Sequence, residues 1–150
     1  MRVEHFLRDS ARRFPGKTAI VAGERRVSYA TLAADAARVA RALRAGGVGR
    51  GERVVVFQEN SPETIAALFG ALQAGAVFSV VNPGTKLDKL AYILNNCAAR
   101  ALVTEPKLAA VATEAAKMAP SLVTTITAPL PREDESENKI DIGEAGIDLD

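Results

Sequence analysis

Residues 53–83 read RVVVFQENSPETIAALFGALQAGAVFSVVNP. Arg53 to Gln58 is a short run of β-branched and aromatic residues, the composition of a buried strand. Asn60-Ser61-Pro62-Glu63 is a helix start. Ser61 suits the cap, Pro62 the first helical position, and Glu63 the positive end of the helix dipole. The helix runs to Ala74, where Gly75 supplies the left-handed residue that ends many helices. Ala76 to Val81 is a second apolar strand, closed by Asn82-Pro83. A helix of about 13 residues rises about 20 Å, and a strand of about six residues spans a similar distance. The helix therefore returns the chain to the level of the first strand, and the two strands run parallel through a right-handed crossover. Ile65, Ala66, Leu68, Phe69 and Leu72 make this helix apolar nearly all round, so it is expected to pack on the sheet and be covered in turn.

The flanking sequence extends the same alternation. Val3, Phe6, Leu7, Ala11 and Phe14 recur at helical spacing, so the chain opens on an amphipathic helix ended by Pro15-Gly16. Thr18–Ala22 and Arg25–Tyr29 form a hairpin turning at Gly23-Glu24. Ser28 caps a long helix to Ala45, with Tyr29, Leu32, Ala33, Ala36, Val39, Ala40 and Leu43 facing inward. Asp35, Arg38, Arg41 and Arg44 fall on its wet side, and Gly46-Gly47 ends it. A helix over Leu87–Asn96, a strand at Ala101–Thr104, a helix from Pro106 and a strand over Leu122–Thr127 complete the alternation. Strands alternating with helices predict an α/β fold: a doubly wound, mainly parallel sheet with helices on both faces. Residues 1–127 form this unit. Residues 128–150 hold eight carboxylates against Arg132 and Lys139, and read as a mobile acidic linker or surface loop.

Composition narrows the function classes. A chain of 150 residues with 48% hydrophobic and 25% charged residues is an ordinary globular domain. Its net charge of +1 gives no electrostatic case for nucleic acid or an anionic membrane. A single cysteine, Cys97, makes no internal disulfide and suits the cytoplasm. Ile65–Val81 is the longest apolar stretch. Gly70, Gln73, Gly75 and Ser79 interrupt it, and it is short for a transmembrane span.

The local motifs supply no catalytic group. Gly16-Lys17-Thr18 lacks the upstream glycine of a phosphate loop, because Ala11 holds that place, and it lies between a helix and a strand. Gly47-Val48-Gly49-Arg50-Gly51 leads into a strand instead of out of one, so the anion-binding helix terminus is missing. His5 is the one histidine, so a zinc site is excluded. Ser61 reads as a cap, Cys97 as a half-buried helix-end residue. No catalytic, cofactor-binding or metal-ligating residue is assigned.

The order of these elements resembles the start of the adenylate-forming (AMP-binding) superfamily, which holds acyl-CoA synthetases, luciferases and adenylation domains of peptide synthetases. Leu72-Gln73-Ala74-Gly75-Ala76-Val77-Phe78, running into Val81-Asn82-Pro83, is similar to the family's L-K-A-G-A-V-x-V-P-L-N-P stretch, with Val80 where the family has proline. Gly51-Glu52-Arg53-Val54 resembles G-D-R-V, and Asn60-Ser61-Pro62-Glu63 resembles N-S-P-E. Val27–Leu32 resembles x-T-Y-x-E-L, Leu90–Leu94 resembles L-x-Y-I-L, and Phe14–Ala19 resembles x-P-D-K-x-A. The resemblance implies a ligase of the kind fatty-acid metabolism uses. A carboxylic acid and ATP give acyl-adenylate and pyrophosphate, and coenzyme A then takes the acyl group, with Mg2+ at the phosphates. The family's glycine-rich phosphate loop, nucleotide contacts and catalytic lysine come later than Asp150; Ile147–Asp150 resembles the approach to that loop. ATP, Mg2+ and coenzyme A are therefore expected of the complete enzyme and not of this chain alone, which is expected to be inactive and to carry an incomplete sheet that self-associates or takes a completing polypeptide. A non-catalytic interaction module on the same fold stands as the alternative. An unrelated nucleotide-binding domain is disfavoured, since no strand is followed by a phosphate-binding glycine turn.

Overall fold

The structure, a computed structural model, describes residues 2–130; the acidic stretch of residues 131–150 lies outside them. The order is α1 (Val3–Arg13), β1 (Thr18–Ala22), β2 (Arg25–Ser28), α2 (Tyr29–Ala45), β3 (Arg53–Phe57), α3 (Pro62–Gln73), β4 (Val77–Val81), α4 (Leu87–Asn96), β5 (Ala101–Thr104), α5 (Ala109–Lys117) and β6 (Thr124–Thr127), with a 3-10 turn at Pro106–Leu108 leading into α5. β1 and β2 form an antiparallel hairpin, and the other four strands form a sheet in the order β4-β3-β5-β6. All of its pairings are parallel, with Val54 opposite both Phe78 and Ala101.

The sheet is doubly wound, and the strand period shows how. Val54 and Val56 of β3 join Ala101, Val103 and Ile126 in a core beneath α2 and α3. Val55 and Phe57 join Leu102 in a second core beneath Leu90, Ala91 and Leu94 of α4 and Ala112 and Ala115 of α5. Alternate side chains point to opposite faces, and both faces are covered, so the central strands are apolar throughout. Phe57, Leu90, Leu94 and Leu102 are completely buried, each stabilising the fold by about 2–3 kcal/mol. The caps behave as the residues require. Ser28 Oγ accepts from the Thr31 amide at 3.1 Å, Ser61 Oγ accepts from the Thr64 amide at 3.3 Å, and Gly75 has φ +80°.

Some expectations are corrected by packing. The buried face of α3 is Pro62, Thr64, Ala66, Ala67, Gly70 and Ala71, while Ile65, Leu68, Phe69 and Leu72 are half-buried. α2 lies so close that only small residues fit between the helices. A Cβ on Gly70 would stand 2.6 Å from Val39 Cβ and 2.8 Å from the Ala36 carbonyl oxygen. On α1 only Leu7 is buried. The final strand starts at Thr124, because Leu122 is held in a turn by its amide bond to the Ala119 carbonyl. The chain continues packing past β6: the Ala128 amide donates to Thr104 O at 2.8 Å, and Ala128 is buried against the first core.

Candidate functional site

Ligands of open parallel sheets bind outside the carboxyl ends of the strands, where the winding reverses. The chain goes from β3 to β4 on one side and then crosses to β5 on the other, so the reversal lies between β3 and β5. Gln58 and Glu59 follow β3 there, and Thr104 and Glu105 end β5. Gln58 and Thr104 are 2% and 1% exposed. Gln58 Nε2 donates to Thr104 O at 3.3 Å. Gln58 Oε1 and Thr104 Oγ1 find no partner among the described residues.

The rim of this edge is tied to itself. Thr64 Oγ1 donates to Glu59 O at 2.7 Å, the Glu59 amide donates to Glu105 Oε2 at 3.3 Å, and Lys107 Nζ meets Glu59 Oε1 at 2.8 Å. The Lys107 ammonium is held above its ordinary pKa by its hydrogen bond and charge contact with Glu59. At the α3 N-terminus Ser61 fills the cap and Glu63 stands in the first turn; Asp88 does the same on α4. Glu63 is paired with Arg25, and Asp88 follows the N-cap Lys86. Among the described residues no group of His, Cys, Asp or Glu could hold a metal ion. The described residues thus offer no carboxylate cluster for the Mg2+ of an ATP complex.

A cavity of about 230 Å³ opens between β2, α2 and α3, walled by Ala128, Pro129 and Leu130. Arg25 spans to Glu63 with two bonds, at 2.8 and 3.4 Å, and Arg38 pairs with Asp35. Burial pushes the Glu63 carboxyl up, but the hydrogen bond and charge of Arg25, with further bonds from its own amide and Ser61, outweigh it, so Glu63 stays below the ordinary carboxylate range. The hydrogen bonds that Arg25 donates to Glu63, with the charge of that carboxylate, in turn raise the Arg25 guanidinium. Asp35 and Arg38 thus belong half-buried in this wall instead of on a fully wet face; Arg41 and Arg44 are exposed as expected. No local pattern announces this constellation, since Arg25 and Glu63 are 38 residues apart. Its four charges cancel in pairs, so it holds no net charge for a ligand.

The remaining motifs stay structural. Gly16-Lys17-Thr18 is the turn from α1 into β1. Gly47 and Gly51 take φ of +95° and +76° in the turn into β3. Cys97 sits half-buried at the end of α4, and its carbonyl accepts from Arg53 Nε at 2.8 Å. His5 lies on α1, beside a shallow groove shared with α2.

The family model described as "AMP-binding enzyme" matches residues 7–146. Surfactin synthase subunit 1 of Bacillus subtilis (strain 168) is 34% identical over 73% of this chain and 3% of its own length. A 3-hydroxybenzoate–CoA ligase of Aromatoleum sp. (strain CIB) is 38% identical over 61% of this chain and 17% of its own. The crystal structure of a benzoate CoA ligase from Burkholderia xenovorans LB400 superposes with a TM-score of 0.77 and 28% identity, over 94% of this chain and 28% of that one. The chain thus spans a small part of the length of the proteins it matches.

Proposed function

The chain belongs to the AMP-binding enzyme family, and from that premise we propose that it is the opening α/β layer of an acyl-adenylate-forming ligase. The complete enzyme would join a carboxylic acid to ATP as acyl-AMP and pass the acyl group to coenzyme A. Residues 1–127, with Ala128, Pro129 and Leu130 packed against them, act as a scaffold in that enzyme, and the acidic stretch that follows as a link to its nucleotide-binding part. The observation that carries this reading is the family match over residues 7–146 by a chain that spans 28% of a ligase of the same fold. ATP, Mg2+ and coenzyme A belong to the complete enzyme, in the cytoplasm, and this chain alone is inactive. Relatives named for an aromatic acid, for long-chain fatty acids and for surfactin leave the acid open.

The same reading accounts for the bare rim of the sheet. Among the described residues β4 has a neighbour on one side only, and its Val77 and Val80 are 54% and 51% exposed. An apolar edge strand is a template for further pairing, so a completing polypeptide, or failing that a second copy, covers it. The test is to extend the chain with the sequence beyond Asp150 and to assay acid-dependent exchange of pyrophosphate into ATP. Exchange by the extended chain and not by the 150 residues supports the proposal. Exchange by neither, in a folded extended protein, turns the reading toward a non-catalytic interaction module.

A further inference from the structure

We draw no further inference here: the strongest candidate, the cavity of about 230 Å³ between β2, α2 and α3, has wall charges that cancel as the pairs Arg25–Glu63 and Arg38–Asp35, and nothing in the structure shows what covers it.

Discussion

Replacing Gly70 by alanine should destabilise the chain, although alanine is the better helix former. In an exposed helix the exchange stabilises by about 1 kcal/mol. Here the new methyl would stand 2.6 Å from Val39 Cβ, 2.7 Å from Val39 Cγ1 and 2.8 Å from the Ala36 carbonyl oxygen. Two of these three atoms belong to the α2 backbone or to the carbon fixed to it, so rotating a side chain does not relieve them. The helices must part, and overpacking of this kind costs about 1–3 kcal/mol, from which the propensity gain of about 1 kcal/mol is subtracted. We expect a net loss of up to about 2 kcal/mol, or about 4 °C in Tm for each kcal/mol in a chain of this size. Urea unfolding should show a lower midpoint and an unchanged slope. Val39→Ala should not rescue the variant, because Val39 Cβ and the Ala36 oxygen remain. Gly16→Ala, with no heavy atom within 4 Å of its Cβ, should stay within about 0.5 kcal/mol of the parent. A Gly70→Ala protein more stable than the parent would refute the close α2–α3 contact on which the covered face of the sheet depends.

Single residues elsewhere set further outcomes. Ala98 holds φ +49° after α4, so Ala98→Gly should raise stability by about 1 kcal/mol, read by urea titration. Thr104→Val removes a buried hydroxyl that has no partner among the described residues; the variant should be equal to the parent or up to about 1 kcal/mol more stable, and a clear loss would mean that the hydroxyl is bonded. Glu63 is held below the ordinary carboxylate range when folded, so the unfolded chain binds the proton first as pH falls. Its pairing with Arg25 stabilises the fold above the ordinary carboxylate range and is lost as pH drops through the lowered value. In this exposed setting the effect is about 0.5 kcal/mol, and an acid titration of Tm should lose that slope in Glu63→Gln.

The segment of residues 53–83 was legible because its punctuation is local. Ser61, Pro62 and Gly75 each act within a few residues of themselves, and a strand-helix-strand of those lengths has one parallel solution. The buried face of α3 was not legible, since it is chosen by α2, whose approach selects Gly70 and the alanines over the larger Leu68 and Phe69. The end of α4 was also opaque: Ala98 takes the left-handed conformation usually marked by glycine. Gln58, a polar residue ending an apolar run, was the available signal for the sheet edge; its partner Thr104 emerges only when β3 and β5 pair. The cavity with Arg25, Asp35, Arg38 and Glu63 depends wholly on tertiary contact, and no spacing in the chain marks it.

Amide hydrogen exchange, recorded with and without ATP and Mg2+, tests the central claim most directly. The account predicts slow exchange at Val54–Phe57 and Leu102–Val103, as paired interior strands require, and the same pattern when nucleotide is added. Fast exchange through those strands, or new protection at Gln58, Glu59 and Thr104 on adding ATP and Mg2+, would contradict a scaffold whose nucleotide chemistry is supplied by other residues.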